Sequence, residues 1–187
     1  GIPTTGGSSG VRVLKQGFNV DPILQKQAHC ISTMTYNEYW QVVDAGLSPS
    51  DLTVYKYEDQ GVATLEDGLY VMEDRLSDPK FVNRMARFLR ASKRGWEYAG
   101  WYPDRAAAIV LENDDTGAQT EKHQRRMMRE INRLVSVGEQ SNGIGFLEPS
   151  DYNRTVKVLL ASDSDPVITK EPKGAWTHKV YEAMNNL

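Results

Sequence analysis

The residues best equipped for chemistry are Tyr36, Asn37 and Glu38, within the run STMTYNE at Ser32–Glu38. An aromatic ring can stack on a flat ligand, an amide can donate and accept, and a carboxylate can accept hydrogen bonds from an amine. The run follows the apolar pair Cys30-Ile31 and precedes a helical pattern, so it falls where a strand turns into a helix. In open α/β folds that C-terminal strand edge is where small molecules bind. A purely local account also exists: Thr35 or Asn37 caps the helix, Tyr36 and Tyr39 pack, and Glu38 is a first-turn acid that complements the helix dipole. Both accounts stay open on these residues alone.

Two weaker candidates accompany them. Gln60 stands beside Asp59 and before Gly61, a glycine suited to the unusual backbone angles of a crossing segment; it either touches ligand or serves as a satisfied hinge amide. Asn19 follows Phe18 after the first apolar run, where it either borders a site or forms an Asx turn while Phe18 packs. The aromatic group Trp96, Tyr98, Trp101 and Tyr102 suggests a stacking platform, but helical spacing puts Trp96 on an inner stripe, which favours core packing. His29, His123 and His178 show no metal-ligand spacing. Cys30, the only cysteine, excludes an internal disulfide and reads as a buried, inert thiol. GGSSG at Gly6–Gly10 precedes a strand instead of opening a helix, so it is a loop and not a phosphate cradle, and SNGIG at Ser141–Gly145 is a helix connector.

These groups must be positioned by elements whose order is legible. Val11–Gln16, Ala28–Thr35 and Leu52–Tyr57 read as strands, separated by helices at Asp21–Gln27 and Asn37–Ala45, the latter closed by Gly46. Such alternation predicts a parallel βαβ sheet. After a short strand at Gly68–Met72 the chain turns helical. Asp78-Pro79 is an N-cap with proline in the first turn, and Phe81, Met85, Phe88, Leu89, Ser92 and Trp96 form an inner stripe. Further helices are predicted over Arg105–Leu111, after a Thr120 cap, and over Asp151–Leu160 and Trp176–Met184. The basic run Lys122–Arg133, interleaved with glutamates and methionines, reads as an amphipathic helix with a solvated face.

The 187 residues, 40% hydrophobic and 25% charged, have ordinary globular composition. A net charge of −3 offers no basic field for nucleic acid or an anionic membrane. A small or apolar ligand suits the balance better.

Four runs together resemble the periplasmic solute-binding proteins of ABC importers: STMTYNEYWQVVDAGL, YEDQGVATLEDGLYV, FLRASKRGWEYA and SDPVITKEPKGAWTH. Within them the chain is similar to the branch of thiamine-pyrimidine-precursor binding proteins and the related pyrimidine synthases, through the phrase RASKRGWEYAGWYPDRAAAIV. The resemblance implies an α/β, periplasmic-binding-protein-like (type II) fold, here partial: a three-stranded parallel βαβ part followed by a mainly helical C-terminal part. Residues 1–58 then correspond to the later part of lobe two, 59–64 to the hinge crossing and 65–187 to the C-terminal part of lobe one, so the chain resembles the C-terminal portion of such a protein.

It implies a function as well. A protein of this kind binds a small, pyrimidine-like solute without a cofactor or chemistry, delivers it to the membrane permease subunits of an ABC transporter, and works in the periplasm. The family's pyrimidine binders use a tyrosine and a glutamate in a comparable turn, which Tyr36 and Glu38 match, with Asn37 between them either in the site or pointing away. The alternative is a pyrimidine-synthase-like enzyme in which lysine-bound pyridoxal phosphate is the substrate and iron assists. That enzyme's cysteine-rich run and histidine ligands are largely absent here. A third possibility is a helical interaction module. Apolar faces bearing Phe88, Leu89 and Trp96, if left open, predict self-association of the chain.

Overall fold

A computed structural model describes residues 4–137, 142–161 and 166–187. Gly1, Ser141 of the SNGIG connector, and Ser164 and Asp165 of the SDPVITK run lie outside the described residues. The chain is built from helices: α1 (Asp21–Leu24), α2 (Glu38–Asp44), α3 (Pro79–Trp101), α4 (Pro103–Glu112), α5 (Glu121–Val137), α6 (Pro149–Leu160) and α7 (Lys179–Asn185), with 3₁₀ turns at Pro49–Asp51, Glu58–Gln60 and Glu73–Ser77.

The described residues form no parallel sheet of the kind expected from the sequence. Among the described residues the only β pairing is one isolated antiparallel bridge, Thr5 to Arg12. It closes the GGSSG loop, with the Gly6 N–H donating to the Val11 carbonyl at 3.0 Å. Val11–Gln16, Ala28–Thr35, Leu52–Tyr57 and Gly68–Met72 are therefore irregular, and the α/β, βαβ assignment is corrected to a helical one. A strand persists only if a neighbour completes its ladder and one face is buried. Beyond that one bridge no ladder forms in these segments, and side chains such as Val13, 71% exposed, and Tyr55, 70% exposed, enter no buried face.

Side chains do some of the work a ladder would have done. Gln16 donates from Nε2 to the Ser32 carbonyl at 2.9 Å and accepts from the Ser32 N–H at 3.0 Å, so one side-chain amide imitates a peptide unit of an adjacent strand. On the later part of the chain, Thr155 Oγ1 accepts from the Leu65 N–H at 2.8 Å and Arg154 Nε donates to the Ala63 carbonyl at 3.0 Å, which fastens an extended segment to α6. Backbone groups must find partners, and here extended chain finds them on side chains.

The fold has two compact units. The first comprises residues up to Thr53 with Ala107–Ile131, the second Val54–Ala106 with Asn132–Leu187. In the second unit α3 starts as its sequence dictates: Asp78 Oδ1 accepts from the Lys80 N–H at 2.9 Å, and Pro79 occupies the first turn, where its missing N–H is no loss. The helix then packs on α7 through Ala86, Leu89 and Met184, flanked by Val180, Tyr181 and Ala183. Ala86 is fully buried, and its small side chain lets Met184 close against the helix.

The buried stripe is thus Val82, Ala86, Leu89, one position around from the predicted one. Leu89 belongs to it, whereas Phe88 and Trp96 are exposed, the latter against the expectation of core packing. Phe18, also expected to pack, lies fully in solvent. Cys30 is exposed instead of buried, because the strand that was to enclose it does not form. Among the described residues no helix is long and apolar enough to cross a membrane.

Candidate functional site

The strongest grouping of polar side chains lies in the first unit, where the turn into α2 meets the start of α5. Asn37 takes the N-cap position of α2 but makes no capping bond with its side chain. Its amide is occupied otherwise. Oδ1 accepts from Gln41 Nε2 at 3.1 Å, one helical turn on, and lies 2.8 Å from His123 Nε2 on α5. Nδ2 donates to Glu38 Oε1 at 3.2 Å.

Glu38 is held from a second direction. Its Oε2 accepts from the Met34 N–H at 2.9 Å, so the carboxylate folds back over the turn that precedes its own helix. An ionised carboxylate offers about four acceptor positions, and these two contacts leave capacity for a ligand amine. Tyr36 is half-buried in the middle of the same turn. The structure brings Tyr36, Asn37 and Glu38 together by adjacency and ties two of them by hydrogen bonding.

The other two candidates have local settings of their own, although Gln16 Nε2 donates to the Asn19 carbonyl at 3.2 Å as well as to that of Ser32. Asn19 is exposed and its Oδ1 accepts from the Asp21 N–H at 3.1 Å, an Asx turn that starts α1. Gln60 is exposed in the 3₁₀ turn Glu58–Gln60, which belongs to the second unit. Gly61 ends that turn in the left-handed conformation, φ 73°.

α5 supplies what sequence reading missed. Its approach is fixed locally: Asp114 accepts from the Thr116 and Gln119 N–H groups, and the Thr120 hydroxyl accepts from the His123 N–H at 3.3 Å. Buried Gln124 donates to Gln119 Oε1, so its polar group is satisfied. From this start Lys122 and Arg126, four residues apart and so on one helical face, converge on Asp44. Lys122 Nζ lies 2.8 Å from Oδ1 and Arg126 Nη1 3.0 Å from Oδ2. The Arg126 guanidinium also covers the Trp40 indole at 4.6 Å, and Trp40 meets Tyr39 edge-on at 5.0 Å.

Asp44 explains why two cations gather there. An acid in the last turn of a helix opposes the helix dipole, and α2 has no basic residue in that turn. Lys122 first, then Arg126, hold its carboxyl below the usual carboxylate range, against the opposing effect of partial desolvation. The run read as a solvated face is therefore partly an internal contact. Its signal was the spacing of Lys122, His123 and Arg126, and the missing information was which helix they face.

Among the described residues no group of three or more histidine, cysteine, aspartate or glutamate side chains could hold a metal ion. What the turn offers chemically is a carboxylate with acceptor capacity and, two residues before it, a half-buried phenol.

No curated protein and no solved structure matches the chain. A family model described as NMT1/THI5 like matches residues 4–106, more than half of the chain, and this range contains Asn19, Tyr36, Asn37, Glu38 and Gln60 but neither Lys122, His123 nor Arg126. By that match the chain belongs to the NMT1/THI5-like family.

Proposed function

We propose that this protein is a substrate-binding component that captures a small, heteroaromatic, pyrimidine-like solute outside the cytoplasm and presents it to the membrane permease subunits of an ABC transporter. The NMT1/THI5-like family consists mostly of substrate-binding proteins, with an enzyme also among its members. That supports a binding role in the chemistry of thiamine precursors. The observation that carries the reading is the Glu38 carboxylate, fixed by Met34 and Asn37 beside Tyr36.

The chemistry is simple. A phenol ring covers one face of a flat heterocycle, and the carboxylate accepts from its exocyclic amine, a charge-assisted bond stronger than a neutral one. An analogue without the amine leaves the carboxylate unpaired, and discrimination arises from that cost.

The test is incubation of the chain with the free aminopyrimidine moiety of thiamine, followed by dialysis and mass spectrometry. Reversible binding with recovery of the unchanged molecule supports a binding protein. Stoichiometric formation of a pyrimidine from added pyridoxal phosphate and iron would assign the chain to the enzymatic members instead.

A further inference from the structure

We propose that His123 is a positioning residue for Glu38, acting through the side-chain amide of Asn37. The inference rests on Glu38 being a ligand group and extends the site to a helix that lies beyond the matched family range.

The direction of each bond follows from what the partners can do. Gln41 Nε2 can only donate, and an ionised Glu38 can only accept. Asn37 must therefore point Oδ1 at Gln41 and Nδ2 at Glu38, as it does at 3.1 and 3.2 Å. That orientation places Oδ1, already an acceptor, 2.8 Å from His123 Nε2, so the imidazole donates from Nε2. The donors run in one sense: His123 to Asn37 to Glu38.

Each member has a fixed base. His123 sits in the first turn of α5, its backbone N–H bound by Thr120. Arg126 and Lys122 clamp the same helix to Asp44 at the far end of α2. His123 and Asn37 are both half-buried, which keeps water from replacing the bond freely. Without His123 one acceptor position of Asn37 Oδ1 loses its donor, and the amide, held by Gln41 and Glu38 alone, orients the Glu38 carboxylate less firmly.

The experiment has a ligand-free and a ligand-bound arm, each on the full chain. In the free protein, proton–nitrogen spectra should show His123 protonated at Nε2. The Asn37 side-chain amide protons should exchange about tenfold faster in His123→Ala and return to within about threefold of wild type in His123→Gln, whose amide can donate as the imidazole does. In titrations with the aminopyrimidine moiety of thiamine, His123→Ala should weaken affinity about tenfold and His123→Gln by no more than about threefold. Asn37→Ala should abolish the difference between the two His123 variants. Binding that is weakened by Glu38→Gln but indifferent to His123→Ala, with unchanged Asn37 exchange, overturns the positioning role and leaves the function intact. A wild-type chain that ignores the probe while Asn37 exchange still follows His123 overturns the ligand reading and upholds the positioning.

Discussion

The guanidinium of Arg126 lies over the indole of Trp40 at 4.6 Å, joining α5 to the middle of α2. A planar cation over a half-buried ring gains cation–π attraction as well as stem packing, and lysine does not reproduce the stacking. Arg126→Ala should destabilise the protein by about 1 kcal/mol and shift Trp40 emission. Arg126→Lys should recover the pairing with Asp44 but not the emission. Thermal melts and tryptophan fluorescence of the two variants check this.

Asp44 makes the same contact sensitive to acid. Its folded pKa is depressed, chiefly by the Lys122 hydrogen bond, so as pH falls the unfolded chain takes up the proton first. The contribution is fully present above about pH 5 and is lost as pH drops through the folded-state value. Asp44→Asn should remove it, at a cost of about 1 kcal/mol or less because the pairs are partly solvated. The melting temperature of wild type should approach that of Asp44→Asn as pH is lowered, and a constant gap between them would contradict the assignment.

Two glycines separate backbone strain from crowding. Gly145 and Gly46 both have positive φ, 94° and 106°. A Cβ on Gly145 would meet Leu89 Cδ1 at 2.9 Å, whereas one on Gly46 would meet nothing within 4 Å. Gly46→Ala should cost about 1 kcal/mol from conformation alone. Gly145→Ala should cost clearly more, because Leu89 is confined by Ala86 and Met184 and cannot step aside freely. Denaturant melts of the pair give the comparison.

The thiol of Cys30 is exposed and makes a long contact of 3.9 Å to the Ile31 carbonyl. Native protein should react with Ellman's reagent at nearly the rate of the unfolded chain. Protection by more than about a hundredfold would show a buried thiol and restore the enclosed strand.

The helices were legible because their signals are local. Asp78-Pro79 announces the start of α3, Thr120 that of α5, and Gly46 closes α2 within a residue or two of the predicted bounds. That the apolar runs would stay irregular instead of forming the expected strands was not legible, since whether such a run becomes a strand depends on a neighbour remote in sequence. Around Ser32 that neighbour is the side chain of Gln16, and around Ala63 and Leu65 it is Arg154 and Thr155. The inner stripe of α3 slipped by one position because small Ala86, not bulky Phe88, admits α7. In the candidate site the turn residues Tyr36, Asn37 and Glu38 could be read directly. His123 could not, because its partner Asn37 stands 86 positions away.

Tyr36 should matter through its ring. Tyr36→Ala should weaken binding of the aminopyrimidine moiety of thiamine by about 1–3 kcal/mol, and Tyr36→Phe should lose little, since stacking area survives. Fluorescence titration of the two variants distinguishes ring from hydroxyl.

The role proposed for the Glu38 carboxylate is recognition of a ring amine. Calorimetric titration of wild type and Glu38→Gln with the aminopyrimidine moiety of thiamine and its deaminated analogue decides it. Wild type should favour the amine by at least about tenfold, and Glu38→Gln should erase most of that preference, a change of about 1–3 kcal/mol, with the fold intact. Equal affinity of wild type for both compounds, or a preference that survives in Glu38→Gln, would contradict it.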